Sequence, residues 1–193
     1  MERPTLTGIY NKIKGNVENT YNMPKSRNKG AHGILLENLV GIPTSSACLD
    51  CIDGELKSYP LKYDRKNILV PKETICVTML SKDELISNEF SKSKCYKKLK
   101  NVLYTPYIRN VDMIQFNEPK IINLTPENNK LLYDTLESDY EKIRQYYITN
   151  SMLSGSSKNC KYLETRTKGA GGDKPKTYAF YLKTGFIKDF LLN

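Results

Sequence analysis

The stretch that most constrains the fold is CLDCIDGELKSYPL, residues 48–61. An Asp-Gly pair between two alternating runs is the strongest short-range signal for a β-hairpin, because the central positions of such a turn favour positive φ. We therefore predict a hairpin that turns at Asp53 and Gly54. In that register Asp50 lies opposite Lys57 and shares a face with Glu55, because side chains alternate along a strand.

This predicted face carries candidate chemistry. Asp50 and Glu55 would lie within about 7–8 Å of each other, and two carboxylates at that range are candidate metal ligands for Mg²⁺. Lys57 beside them could orient a water molecule or stabilise charge that develops on a phosphate. Asp53 is the rival ligand, but it sits in the predicted turn and points away from Lys57. A charged strand face is equally compatible with plain exposure to solvent.

The two cysteines of the same stretch form a weaker pattern. A structural zinc ion takes about four ligands, and the sequence offers Cys48 and Cys51 neither a second cysteine pair nor a nearby histidine. The chain has five cysteines, an odd number without the spacing of a disulfide framework, which predicts reduced thiols. We expect Cys51 to lie in the core and Cys48 to be incidental.

The charge balance limits the partners. The chain carries 30 Lys and Arg against 21 Asp and Glu, a net charge of +9, which suits nucleic acid or an anionic membrane surface. His32 is the only histidine, so a metal site built from several histidines is excluded. No apolar run approaches the ~18 residues that span a bilayer, and the N-terminus lacks the apolar region of a secretory signal. These features predict a cytoplasmic protein that is neither secreted nor bound to a membrane.

The remaining pattern predicts an α/β (α+β) fold, in which helices flank a central mixed sheet. Apolar spacing predicts a short helix over AHGILLENLVG, residues 31–41, and a long helix that Thr125 caps. Strands are predicted over ETICVTML and KNVLYTPYI, and two further strands near the C-terminus are joined by a glycine- and lysine-rich loop. We expect a single domain over residues 1–193, with one lobe over about 1–120 and a second over 121–193.

Several of these segments resemble the MutH and Sau-type GATC endonuclease family, a branch of the PD-(D/E)xK nucleases. KGAHGILLENLVG resembles the family's Gly-x-x-Gly-x-Leu-Leu-Glu helix, and the resemblance implies that Glu37 supports the metal site. GELKSYPL is similar to the strand that supplies the catalytic glutamate and lysine, here Glu55 and Lys57. YKKLKNVLYTPYI resembles a Lys-Leu-Lys-x-Val-Leu-Trp-x-Pro segment of the family. The first lysine of that segment joins the active site, and it corresponds here to Lys98. The matches keep the family's order along almost the whole chain.

The C-terminal strands resemble the elements with which the family reaches DNA. Carried over residue by residue, YLETRTKGAGG and YAFYLKTGF suggest Arg166, Lys168 and Tyr181 for DNA contact, and Gly169 and Lys183 complete the expected set. Arginine and lysine suit the O6 and N7 acceptors of guanine in the major groove. Glycines in the intervening loop would allow the backbone to approach DNA closely.

One departure from the family pattern concerns the first carboxylate. The family places its aspartate seven positions before the glutamate, where this chain has Cys48, whereas Asp50 lies five positions before it. The resemblance therefore implies a hairpin that is two residues shorter, with Asp50 preferred to Asp53 as the ligand.

The resemblance implies a Mg²⁺-dependent endonuclease that cuts double-stranded DNA at 5′-GATC sites, as a restriction enzyme does. It also implies a two-lobed clamp, with a catalytic lobe over about 1–120 and a DNA-recognition lobe over 121–193, that acts as a monomer or as a dimer induced by DNA. One alternative is a MutH-like repair enzyme that nicks the unmethylated strand and needs a mismatch-repair activator. The other is a DNA-binding module without catalytic activity.

Overall fold

A computed structural model describes residues 3–17, 19–24, 28, 30–43, 47–169 and 177–193. Its helices are α1 Leu6–Lys14, α2 Ala31–Val40, α3 Lys82–Ser87, α4 Lys94–Leu99, α5 Pro126–Asn150 and α6 Thr184–Phe186. Its strands are β1 Thr20–Asn22, β2 Glu55–Tyr63, β3 Leu69–Pro71, β4 Ile75–Leu80, β5 Asn101–Asn110, β6 Met113–Phe116, β7 Lys120–Asn123, β8 Leu163–Lys168 and β9 Thr177–Leu182. The predicted α+β class, with helices and a mixed sheet, is confirmed.

The chain divides into two compact units that interleave along the sequence. The first unit comprises residues 1–73 and 101–122, and the second comprises residues 74–100 and 123–193. The second unit therefore contains residues 74–100 in addition to the expected C-terminal part. The reason is strand pairing, because β4 lies in a sheet with β9 and β8.

The sheet of the first unit has the order β1-β6-β5-β2-β3, and β7 also pairs with β5. Strands β2 and β5 run parallel, whereas β1 with β6, β5 with β6 and β2 with β3 run antiparallel. The β3 pairing begins only at Leu61, which faces Pro71. Among the described residues, the first half of β2 thus has a sheet neighbour on the β5 side alone.

Helices α1 and α2 cover this sheet with apolar side chains. Leu36 and Val40 of α2 are buried, as the helical spacing of the sequence predicts, and they share one core with Leu56 of β2. Gly41 ends α2 with a φ of 76°, a left-handed conformation that glycine adopts without steric cost. Ile34 stays half exposed, so the helix buries one stripe and not its whole surface.

The second unit is organised around α5. The hydroxyl of Thr125 accepts a hydrogen bond from the Asn128 amide, and Pro126 occupies the first turn, so the predicted helix start is confirmed. Its apolar stripe is buried, in Leu132, Leu136 and Ile143. An aromatic cluster packs around this helix, formed by Phe90, Tyr96, Tyr133, Tyr140 and Phe180.

The C-terminal elements follow the prediction. Strands β8 and β9 pair antiparallel, from Leu163 opposite Leu182 to Lys168 opposite Thr177, and a short closing helix follows. Most of the glycine- and lysine-rich loop between them, residues 170–176, lies outside the described residues. In the part of the chain that the structure describes, no helix has both the length and the apolar character required to cross a membrane.

Candidate active site

The start of β2 places an acid and a base side by side. Glu55 and Lys57 are two residues apart on one strand, so they project to the same side. The Lys57 ammonium donates to Glu55 Oε1 at 2.6 Å. Glu55 is almost completely buried, at 1% exposure, whereas Lys57 keeps partial access to water. A short, charge-assisted contact of this kind fixes both side chains.

Asp50 reaches the same place from the preceding loop. Its Oδ2 accepts a hydrogen bond of 3.1 Å from the backbone amide of Leu56, the residue between Glu55 and Lys57. The side chain is partly exposed. The backbone amide therefore holds the Asp50 carboxylate beside the first residues of β2.

The predicted hairpin is wrong, and so is its turn at Asp53 and Gly54, because neither residue has a positive φ. The amide of Cys51 bonds to the carbonyl of Gly54 at 2.9 Å, but residues 48–53 form bends and no strand. Asp50 is therefore not a cross-strand neighbour of Lys57. The loop packs elsewhere, because the Ile52 amide donates to the Pro4 carbonyl at 3.1 Å. A Cβ at Gly54 would overlap the backbone carbonyl of Asn101, so the chain at Gly54 lies tightly against β5.

Asp53, the rival ligand, has a contact of its own. Its Oδ1 accepts a hydrogen bond from the backbone amide of Leu6 at 2.8 Å, at the first residue of α1. Its carbonyl accepts from the Asn101 side chain at 2.8 Å. A carboxylate at a helix N-terminus satisfies an otherwise unpaired amide and complements the helix dipole. Asp53 thus links the loop to α1, whereas Asp50 points to β2.

Glu37 of α2 joins this group electrostatically. Burial raises its pKa above the ordinary value, the neighbouring carboxylates of Asp50 and Glu55 raise it further, and the Lys57 ammonium opposes them. The structure therefore brings together Glu37, Asp50, Glu55 and Lys57, all in the first unit. The described residues contain no group of three or more His, Cys, Asp or Glu side chains arranged to hold a metal ion.

The cysteines behave as expected. Cys51 is fully buried in the core of the first unit. Burial, together with the nearby carboxylates, raises the pKa of its thiol to about 12, so it stays protonated at neutral pH. Such a thiol is unsuited to metal binding or nucleophilic chemistry. Cys48 is partly exposed in the loop.

Lys98 belongs to α4 in the second unit, where it is partly buried. Its expected place in the active site stays a prediction.

Three of the residues expected to contact DNA lie on one face of the second unit's sheet, which we call the β8–β9 face. Glu164, Arg166 and Lys168 are two residues apart on β8, so their side chains project from the same face. Tyr181 lies opposite Glu164 on β9 and shares that face. The Arg166 guanidinium lies 5.9 Å from the centre of the Tyr181 ring and 2.6 Å from Glu164. Lys168 donates to the Cys76 sulfur at 3.0 Å.

Tyr181 and Gly169 have properties that suit the edge of an interface. Burial and the neighbouring Cys76 raise the pKa of Tyr181 to about 12, so at neutral pH its hydroxyl remains a hydrogen-bond donor. Gly169 has a φ of 141°, which a residue with a side chain rarely adopts. Their contact with DNA stays a prediction.

Lys183 has partners inside the protein. Its ammonium donates to the backbone carbonyls of Ser157, at 3.1 Å, and of Cys160. These bonds tie the end of β9 to the loop after α5. Its expected contact with DNA stays a prediction, in competition with this structural role.

Sequence reasoning missed Asp139, which organises β8. This residue of α5 is 1% exposed, and its carboxylate accepts three backbone hydrogen bonds from Lys161, Tyr162 and Leu163, at 2.6 to 2.9 Å. In the sequence it is one of several acids along a helix with a polar face. Its spacing of three residues from Leu136 and four from Ile143 places it on the apolar stripe of α5, and this is the signal that separates it from the exposed Asp134.

Comparison with known proteins identifies a family. The sequence family described as "DNA mismatch repair enzyme MutH" matches residues 44–145, more than half of the 193-residue chain. No curated protein matches the chain. Among solved structures, the chain is similar to a complex of the restriction endonuclease MvaI with its cognate DNA substrate. The identity is 13% and the TM-score 0.45, over 95% of this chain and 93% of that one. On the strength of the sequence match, the chain belongs to the family of the DNA mismatch repair enzyme MutH.

Proposed function

We propose that the protein is a Mg²⁺-dependent DNA endonuclease that hydrolyses a phosphodiester bond at 5′-GATC sites. The observation that carries this proposal is the arrangement at the start of β2. Glu55 and Lys57 form an ion pair of 2.6 Å, and Asp50 is held on the amide between them. The membership in the MutH family supports the same function.

The carboxylates fit a magnesium ion by their chemistry. Mg²⁺ prefers oxygen ligands and is usually bound through one or two carboxylates, with waters and phosphate oxygens in its remaining positions. Asp50 and Glu55 would hold it. Burial raises the pKa of Glu37 most, and the negative charges of Asp50 and Glu55 raise it further; a divalent cation would offset those charges. A bound Mg²⁺ polarises a phosphate oxygen and lowers the pKa of water.

The chain's own residues would orient the reaction. Lys57 carries a compact ammonium with three donors, which can hold the attacking water or the scissile phosphate while Glu55 fixes its position. Glu37 has a raised pKa, so it accepts a proton more readily near neutral pH than an ordinary glutamate does. Lys98 would add a second positive charge toward the phosphate.

DNA recognition is proposed for the β8–β9 face. Arg166 and Lys168 would contact base edges or phosphates, Tyr181 would donate its hydroxyl, and Gly169 would let the backbone approach closely. Double-stranded DNA is the expected partner, and the protein would act as a monomer or as a dimer induced by DNA.

The proposed product is a double-strand cut, as a restriction enzyme makes. The family match favours the second candidate, a repair enzyme that nicks the unmethylated strand and requires an activator. Incubation with unmethylated, hemimethylated and fully methylated GATC duplexes, with Mg²⁺ or with EDTA, separates the two. Denaturing and native gels distinguish a nick from a double-strand cut.

We expect cleavage with Mg²⁺ and none with EDTA. Binding without cleavage under any divalent metal would mean a DNA-binding module without catalytic activity, and the nuclease proposal would be abandoned. Equal cleavage of duplexes with and without GATC would remove the sequence specificity but keep the chemistry.

A further inference from the structure

We propose that the first unit holds a second DNA-contact site, a basic groove that binds the sugar–phosphate backbone of DNA flanking the segment held at the candidate active site. This inference rests on the proposed function and extends it to residues outside the catalytic group and the β8–β9 face. The groove is a cavity of about 660 Å³ at the carboxyl end of β2 and β5, next to the first turn of α2.

The lining of the groove is predominantly cationic. Among the lining residues that the structure describes, Lys62, Lys72 and Arg109 contribute three positive charges, and Glu73 contributes the one carboxylate. An excess of two positive charges in a concave surface attracts a polyanion, because low-dielectric walls concentrate the field. Lys62 and Lys72 are exposed, so their ammonium groups are accessible to a ligand.

The floor of the groove is fixed by backbone contacts. Arg109 donates from Nη2 to the Met23 carbonyl at 3.0 Å and from Nε to the Val111 carbonyl at 3.3 Å. The Lys72 amide donates to the Pro60 carbonyl at 3.0 Å. These contacts fix the Arg109 guanidinium and the backbone at Lys72 before any ligand binds, which lowers the entropic cost of association.

His32 and Tyr107 form an uncharged wall of the same groove. Their ring centres are 4.8 Å apart. Burial lowers the pKa of His32, and although Glu73 opposes this, the net shift is downward, so the imidazole is neutral at physiological pH. The groove therefore offers flat polar rings beside the two exposed lysines, a combination suited to a sugar–phosphate chain.

The groove is connected to the candidate active site by the elements that build both. Strand β2 carries Lys57 in one and Lys62 in the other, and α2 carries Glu37 and His32 in the same way. Because the pairing of β2 is continuous and side chains alternate along a strand, Lys57 and Lys62, five residues apart, project from opposite faces of the sheet. The groove is therefore a contact surface separate from the active site, and we assign to it DNA that flanks the segment held at Lys57.

The test is the salt dependence of DNA binding, measured in EDTA by fluorescence anisotropy with a 20-base-pair GATC duplex and a scrambled duplex. In a Lys62→Ala, Lys72→Ala double variant, we expect roughly tenfold weaker binding at 0.15 M salt for both duplexes. The slope of log K against log salt should fall by about 1.8, since each lost phosphate contact removes about 0.9. Glu73→Gln should strengthen binding.

The matched control is Lys14→Ala, Lys120→Ala, which removes two exposed lysines of the same unit outside the groove. Thermal melting confirms that both double variants fold. An equal loss in control and groove variants, or an unchanged slope in the groove variant, would overturn the groove while GATC cleavage still supports the proposed function.

A competition arm separates DNA from a small ligand that carries the same phosphate group. The probes are a 5′-mononucleotide and inorganic phosphate, each at about 1 mM. The DNA assignment is overturned if a probe binds the wild type but not the groove variant while the two proteins bind DNA equally well. Absence of any DNA binding by the wild type would overturn the groove and the proposed function together.

Discussion

The two members of the Glu55–Lys57 pair differ sharply in their access to water. The Glu55 side chain is 2% exposed and that of Lys57 is 24% exposed. A buried carboxylate without a partner destabilises a fold by several kcal/mol, about 3–5 when a buried pair is broken. Lys57 therefore has a structural role as well as its proposed catalytic one, and a substitution must separate the two.

For Lys57, two variants separate chemistry from folding. Lys57→Ala should lower the cleavage rate by about 10²–10⁴-fold, as loss of a positioned charge does, and should also lower the melting temperature. Lys57→Arg keeps the positive charge beside Glu55, so it should recover the melting temperature without recovering full cleavage. Single-turnover rates and thermal melts measure the two effects, with Lys66→Ala as the exposed control. A fully active Lys57→Ala enzyme would contradict the assignment.

The two aspartates of the loop should respond in opposite ways. Asp50→Asn should abolish cleavage with little change in stability, because it removes a proposed metal ligand. Asp53→Ala should retain the chemistry but lower the free energy of unfolding by about 1 kcal/mol, the usual effect of losing a helix-terminus acceptor. Denaturant unfolding and cleavage assays on both variants check this, and the reverse result would make Asp53 the ligand.

Glu37 should make stability depend on pH. Its folded pKa is raised, so the protonated form is favoured in the fold, and stability is lost as pH rises from the ordinary glutamate value through the folded pKa. We therefore expect Glu37→Gln to be more stable than wild type at pH 7–8, with the difference shrinking toward pH 4. Denaturant unfolding in EDTA at several pH values measures it. A difference that grows toward low pH would mean that burial and the neighbouring carboxylates do not disfavour the charged form of Glu37.

At the scale of elements, periodicity predicted the helices and failed for the loop before β2. Helix α5 buries the apolar stripe that its sequence specifies, because the apolar side chains themselves determine which face packs. Helix α2 buries Leu36 and Val40, whereas Ile34 and Leu39, also expected on its apolar face, stay exposed. The Asp-Gly pair predicted a turn that the structure does not contain, since the chain bends over residues 48–53 and neither Asp53 nor Gly54 has a positive φ. Strand β2 pairs with β5, whose residue Val102 faces Glu55 and lies far along the chain. Only tertiary packing selects that partner.

The candidate site was also predictable only where local pattern determines it. Strand alternation alone predicts that Glu55 and Lys57 project from the same face. Asp50 lies beside them as predicted, but through the Leu56 amide and not through a hairpin. Glu37 could be identified only by resemblance, because its sequence position gives no sign that α2 meets the start of β2.

Strand β8 depends on a single carboxylate from another element. Asp139→Ala would leave three backbone amides without their acceptor, so we expect a loss of about 3 kcal/mol or more in the free energy of unfolding. The matched control is Asp134→Ala on the same helix, where an exposed pair with Lys130 is lost and the change should stay within about 0.5 kcal/mol. Equal effects of the two substitutions would mean that Asp139 does not hold β8.

For the whole molecule, binding of Mg²⁺ should increase the thermal stability of the fold. A ligand that binds only the folded state stabilises it by about 2.7 kcal/mol at a concentration one hundred times its Kd. We expect Mg²⁺ to raise the melting temperature of the wild type and to have much less effect on Asp50→Asn. Equal shifts in the two proteins would show that Mg²⁺ acts elsewhere. This readout does not depend on cleavage.

The interleaving of the two units also limits how early the first unit can fold during synthesis. Strand β2 is complete at Tyr63, but its parallel partner β5 spans Asn101–Asn110, and the whole of residues 74–100 is synthesised between them. A ribosome adds about 5–20 residues per second, so the nascent chain exposes an incomplete sheet for several seconds. Folding of the N-terminal unit must wait until residue 122 has emerged, and a fragment ending at residue 73 should be held by chaperones or degraded.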